Sequence, residues 1–417
     1  MLKKVLAIIA IFIGVSIAWL ILGSSVDNRT RNQDATLREA VGQLWGSPQR
    51  QKAPQVWNRV TTVKEVPITK NGQTITEKQT QVNDYFWPID ASTIKVDLNL
   101  DHRQKGLLWY STYAVKFNSE YRIVNPTQES REIVMDFHFP NIEAVYDDFQ
   151  FIVGEQRIDD VSIKNGMVQA IFKLDPGQIQ TVRINYASQG LDDWWYDFGD
   201  EVNQVKNFSL LMNTDFKDID FPQNSISPTE KISTDQGWQL KWQYSNLLTG
   251  VKIGMSMPQK LNPGPWVANI SQFAPISLLL FLFMLTIFTV TSKIDIHPIN
   301  YLFISAAYFS FHLLLAYLVD HTSIHLAFVI ASVVSIFLVV SYMRLIVGNK
   351  FAYLQIGVSQ FIFLVLFSYT FFFKGYTGLS ITIMSIITLF VAMQLTARVD
   401  WKKVPEKKQL RDEMFNE

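Results

Sequence analysis

The chain has 417 residues, 48% of them apolar, with 37 basic and 37 acidic side chains and no cysteine. Without a thiol, disulfides, thiol catalysis, cysteine-ligated metals and lipoprotein anchoring are excluded. The net charge of zero conceals a division, because residues 24–269 carry 30 acidic against 25 basic side chains and the remainder 7 against 12. A mildly acidic middle gives no electrostatic case for nucleic acid as a partner.

The first element is an apolar run at 5–22. A bilayer core needs roughly 20 apolar residues per helical span, and this run is close to that. Lys3 and Lys4 flank it on the positive side. It exceeds the usual signal-peptide core, and Leu22-Gly23-Ser24-Ser25 makes a poor cleavage site, so an uncleaved anchor is expected. Leu37, Val41 and Leu44 continue at helical spacing, which predicts a helix over 28–46, running on from the first span or starting just beyond it. Gly46-Ser47-Pro48 should end it, since proline has no amide to give and glycine closes a helix cheaply.

From Val56 the period changes to two. Alternation is clean at 96–100, 133–139, 168–174 and 182–186, and again at Gly237-Trp238-Gln239-Leu240-Lys241-Trp242-Gln243-Tyr244. Asn71-Gly72, Asn125-Pro126, Asn165-Gly166 and Asp175-Pro176-Gly177 separate these runs, and Asn-Gly between alternating segments is a strong hairpin signal. The pattern predicts an antiparallel, sandwich-like unit near 121–190 within a β-rich domain at 24–269. Pro263-Gly264-Pro265 then reads as a stiff linker, with Trp266 as an interfacial aromatic.

Five further apolar runs follow at 270–290, 299–319, 324–343, 351–373 and 376–396. Residues 276–288 are apolar on every face, which fits a helix and not a barrel strand. The domains expected are thus 1–23, 24–269, 270–397 and a basic tail at 398–417. With a cytoplasmic N-terminus, Lys3, Lys4, Lys293, Arg344, Lys350 and the basic tail all fall on one side, and only Lys374 lies in a short loop on the other. The positive-inside rule then puts both termini in the cytoplasm and 24–269 outside it. The tail itself is expected to fix topology and to sit on anionic membrane lipids.

No phosphate-binding loop, HExxH, GxSxG or GxGxxG motif is present, so neither a catalytic site, nor a cofactor, nor a metal is expected. Ionisable groups near the spans draw attention by their cost in hydrocarbon. These are His312 within the third span, and Asp320, His321 and His325 at the following hairpin. His321 and His325 have the i,i+4 spacing that suits a divalent metal on one helix face, against which a solvated interfacial hairpin is the plainer reading. Gln355, Gln360 and Gln394 should hydrogen-bond between helices. Asp192-Asp193-Trp194-Trp195-Tyr196, continuing to Asp200 and Glu201, is the densest acidic–aromatic patch. Such a patch can stack on and hydrogen-bond a glycan or another partner, or hold Ca²⁺. The plainer expectation is a strand whose rings pack the core while its acids face water.

Several blocks resemble the CreD family of bacterial inner-membrane proteins. They are Ala40-Val41 with Gly46-Ser47-Pro48-Gln49, then Phe86-Trp87-Pro88, then Arg103-Gln104-Lys105-Gly106-Leu107, and Phe221-Pro222 with the 237–242 stretch. The most specific is Ile296-His297-Pro298-Ile299-Asn300-Tyr301-Leu302, running on to Asp320-His321-Thr322. The resemblance carries over His297, Pro298 and His321 without a role, and leaves His325 outside the pattern. It implies a protein that supports cell-envelope integrity and stress tolerance, without an assigned reaction.

The expected fold is a multi-pass α-helical membrane protein with six transmembrane helices, one plus five, and a large inserted β-rich, sandwich-like periplasmic domain. The expected activity is non-enzymatic: the ectodomain binds a cell-wall, outer-envelope or protein partner and holds it to the membrane. A transporter or channel lined around His312 and Asp320, and an envelope-stress sensor reporting through the basic tail, are the alternatives.

Overall fold

The computed structural model describes residues 2–70, 73–158, 166–199, 204–248, 250–373 and 375–397. The expected turn Asn71-Gly72, residue Asn165, Asp200 and Glu201 of the acidic patch, Lys374 and the basic tail lie outside the described residues. By its internal contacts the chain divides into two units, Thr36–Lys260 and a second made of Met1–Ala35 with Leu261–Glu417.

Helix α1 runs unbroken over Leu2–Trp45, so the anchor and the helix expected after it are one element. It stops where expected. The Gly46 amide donates to the Gly42 carbonyl at 3.1 Å, and Gly46 takes φ +101°, which only glycine adopts without strain.

Fifteen strands follow among the described residues. They are β1 (Gln49–Lys52), β2 (Gln55–Lys70), β3 (Gln73–Phe86), β4 (Ala91–Lys105), β5 (Leu108–Val124), β6 (Arg131–His138), β7 (Tyr146–Val153) and β8 (Gln156–Arg157). Then come β9 (Met167–Leu174), β10 (Ile179–Leu191), β11 (Asp193–Asp197), β12 (Val205–Thr214), β13 (Glu230–Ser233), β14 (Trp238–Leu247) and β15 (Ile253–Ser256). One sheet has the order β13-β14-β12-β4-β5-β10-β7-β8, a second β3-β2-β6-β9, and a third β1-β11-β15. Pairing is antiparallel except for β4 with β12 and β1 with β11.

The alternation read from sequence is the alternation buried. Ile94, Val96 and Leu98 of β4, Val182 and Ile184 of β10, and Ile133, Met135 and Phe137 of β6 meet in one core. That shared core joins the eight-stranded and four-stranded sheets face to face, a sandwich-like packing. The segment 121–190 does not make such a unit alone. Its strands are split between both sheets, and each sheet takes partners from 55–105 or 205–247. The long-range pairing of β4 with β12 closes the larger sheet, and local periodicity carries no information about it.

Five helices complete the second unit: α2 (Pro263–Thr291), α3 (Pro298–Leu318), α4 (Ile324–Val347), α5 (Asn349–Phe372) and α6 (Thr377–Thr396). Together with α1 they give six helices long and apolar enough to cross a membrane. The expected linker Pro263-Gly264-Pro265 is instead the first turn of α2, where a proline's missing amide costs nothing. Trp266 is packed among the helices. It is buried, its Nε1 donates to the Phe371 carbonyl at 3.2 Å, and its ring lies 4.4 Å from Phe372. Helix α5 widens twice into π geometry, at Ala352–Gly357 and Phe361–Leu366, with no proline to announce it.

A Cβ at Gly46 would collide with the Gln189 carbonyl as well as force an unfavourable φ. Gly46→Ala should therefore cost the β unit roughly 2 kcal/mol or more, a fall of about 4–8 °C in its melting transition by circular dichroism. An unchanged transition would show that the turn relaxes freely.

Candidate functional site

The acidic–aromatic segment forms β11, the centre of the three-stranded sheet. Its rings do not form a platform. Trp194 and Tyr196 are buried in the core, and Tyr196 packs 5.7 Å from Phe208. Trp195 remains half-buried, with the Arg50 guanidinium 6.0 Å from its ring and Gly254 beneath it. The reading of Trp194 and Tyr196 as sugar-stacking surfaces is corrected accordingly: alternation on a strand sends both inward. Asp197 is also buried. It accepts from the Gly199 amide at 3.1 Å and pairs with Lys252 at 2.6 Å, which is what makes a carboxylate tolerable there.

Asp192 and Asp193 remain at the surface of a cleft of about 580 Å³. Asp218, Asp220, Ser256 and Gln259 line it with them. Asp192 adopts φ +63°, a conformation aspartate tolerates better than most side chains, and its carboxylate is paired with Arg38 of α1. Asp193 accepts from the Ser256 hydroxyl at 2.7 Å. The cleft favours cationic or hydroxyl-rich ligands by charge and hydrogen-bonding character. Among the described residues no group of three or more His, Asp or Glu side chains is disposed to hold a metal ion.

The membrane helices place the remaining candidates apart. His297 is the N-cap of α3, its Nδ1 accepting from the Ile299 amide at 3.3 Å, and Pro298 occupies the first helical position. Both start a helix, as their types allow. His312 is buried against Trp19, with ring centroids 5.2 Å apart. Asp320 pairs with Arg29 at 2.9 Å. His321 is exposed and sits in the turn before α4, which begins only at Ile324 after its Ser323 cap. His321 and His325 therefore do not share a helix face, and His325 stacks on Phe372 at 4.9 Å. Of the three glutamines, Gln360 donates to Ser335 at 3.0 Å across helices, whereas Gln394 is exposed.

Sequence reasoning missed Arg29, Arg38 and Lys252, the cations that meet these acids. Arg29 was findable: a charge just beyond an apolar span requires a partner. At the other end of the first span, Lys4 pairs with Asp295 at 2.6 Å, and the Lys4 ammonium holds the Asp295 carboxyl below its usual range. The 25 positions from Lys4 to Arg29 span roughly 37 Å at 1.5 Å per residue, against about 30 Å of hydrocarbon. The two ion pairs thus bracket one membrane thickness.

These features define the class: a multi-pass helical membrane protein carrying a large β-rich domain of three sheets. The family model described as "Inner membrane protein CreD" matches residues 267–402, the membrane bundle after α1. That match supports the CreD resemblance over the bundle, about a third of the chain, and with it a multi-pass location in the inner membrane. No curated protein matches. A crystal structure of a Legionella pneumophila protein, provisionally described as a nutrient binding protein, is similar at 9% identity and a TM-score of 0.32. It covers 47% of this chain and 74% of its own, and a likeness that small carries no argument.

Removing either member of the Arg29–Asp320 pair should loosen α1 from the bundle. A double-mutant cycle with Arg29→Ala and Asp320→Ala, read by unfolding in detergent, is expected to give a coupling of about 0.5–1 kcal/mol, since both groups are partly solvated. Additive effects would show that the two side chains do not act on each other.

Proposed function

We propose that the protein is a non-enzymatic inner-membrane factor supporting cell-envelope integrity, whose β unit binds an envelope partner outside the cytoplasm. Both termini are cytoplasmic in this reading and 24–269 is periplasmic. The asymmetry of lysine and arginine among the short connections supports that orientation. Alkaline phosphatase fused at Gly177, an open turn, should be active, and inactive when fused after Thr396. The reverse pattern would overturn the orientation.

The observation that carries the binding role is a β unit with its own core, set between the first and second spans and opening into an acidic cleft. A partner at that cleft would present cationic or hydroxyl groups, as wall and lipid headgroup components do. A photo-crosslinking residue placed at Gln259 in the full chain, irradiated in intact envelopes, should yield a discrete adduct that Asp218→Asn with Asp220→Asn reduces several-fold. Equal labelling from the exposed control position Glu230 would sink the assignment of the cleft.

A further inference from the structure

On α3, Ser305, Tyr308 and His312 fall at i, i+3 and i+7 and form one buried stripe. On α1, Ser16, Trp19 and Gly23 have the same spacing, and Gly23 lets α1 approach the Ala268 carbonyl of α2 closely. The two stripes meet at Trp19, which lies edge-on to both Tyr308 at 6.1 Å and His312 at 5.2 Å. Tyr308 is satisfied by the Ser277 hydroxyl, which also bonds the Phe363 carbonyl. The neighbouring rings are not. Trp19 Nε1 is buried without a hydrogen-bond partner among the described residues, and the two buried ring nitrogens of His312 have between them only the Tyr308 carbonyl.

The serines at 16 and 305 are also unpartnered, but a hydroxyl on a helix can turn to the carbonyl four residues back. The indole has no such recourse, and the Tyr308 carbonyl one turn back can take the proton of only one imidazole nitrogen, which leaves the other as an unmet acceptor. Neutral imidazole offers one donor and one acceptor, and indole one donor. In hydrocarbon each unmet group costs several kcal/mol. An occupant that accepts from Trp19 and donates to His312 must carry both functions on one small group. It must also be neutral, because the charges beyond the outer end of the span are paired with one another, Arg29 with Asp320 and Arg31 with Asp27. Asp320 lies beyond the end of α3, and the six positions from His312 to Leu318 already place it about 9 Å or more away along the axis.

We propose that the junction of Trp19 and His312 binds a hydroxyl group, supplied by water or by the alcohol function of a lipid. The site is independent of the cleft in the β unit. The test uses the full chain in phospholipid nanodiscs, 15N-labelled at its six histidines, with His312 assigned by its loss in His312→Gln. The acceptor nitrogen of His312 is expected to be shifted from the position of free imidazole, with magnetisation transferred to it from the bound hydroxyl. Transfer from water in discs of phosphatidylcholine alone assigns water; transfer that requires added diacylglycerol assigns the lipid alcohol. Trp19→Phe, which keeps a ring and removes the donor, should cut the transfer several-fold. A nitrogen at the free-imidazole position, or one shifted with no transfer from either source, overturns the proposal. If Trp19→Phe fails to insert, the wild-type spectra decide alone.

Discussion

Hydrocarbon supplies no hydrogen bonds, so in this bundle each polar group is met by another part of the protein or carries a penalty. That constraint organises the membrane unit. It makes every span a helix, and it joins the helices by polar contacts at their centres: Ser277 to Tyr308 and Phe363, Gln360 to Ser335, Ser335 to the Ala307 carbonyl at 2.8 Å. It also ties α1 to the rest. Only its Trp19 is wholly buried within the membrane run; Ile8, Ile11, Phe12, Val15 and Leu22 pack partly against the core, and the other face is exposed. The ion pairs at the two ends of that run therefore hold what apolar packing alone would hold weakly, because lipid competes with every leucine contact but not with a charge pair.

The β unit solves a different problem. Lacking any disulfide, it relies on a core large enough for two sheets, and its polar cross-links are buried hydrogen bonds. Tyr113 donates to the Asp193 carbonyl at 2.8 Å and Tyr186 to Gln51 at 2.8 Å, joining the small sheet to the large one. Burial raises both phenols above their ordinary range, so they stay neutral donors at any physiological pH. Tyrosine suits this work because it fills apolar volume and still offers one donor.

Much of this was legible, and the reasons differ by element. The spans are readable because twenty apolar residues have no other stable home, and the strands because burial on one face imposes period two. The helix end at Gly46 is readable because one residue type meets its backbone demand. What escaped is non-local. The pairing of β4 with β12, the division of 121–190 between sheets, and the partners Arg29 for Asp320 and Lys252 for Asp197 join residues far apart in sequence. The π segments of α5 escaped for another reason: no proline marks them. Among the candidate residues, His297 and Pro298 have a local structural role, opening α3, which their sequence context already permitted.

Asp192 shows why the acidic patch resists a purely functional reading. Its amide donates to the Ser111 carbonyl at 2.9 Å, its carbonyl accepts from the Met257 amide at 2.7 Å, and its carboxylate holds Arg38. One residue in a left-handed conformation thus joins β5, the chain beyond β15 and the end of α1, while its side chain forms part of the cleft wall. The surface a partner would meet is built from the residues that close the fold. Substituting Asp192 changes both at once. Asp218 and Asp220 line the same cleft from a separate segment, and Asp220 joins β15 through its backbone, its carbonyl accepting from the Ser256 amide at 3.0 Å, so a change of side chain there alters the field of the cleft while the joint at Asp192 stays intact.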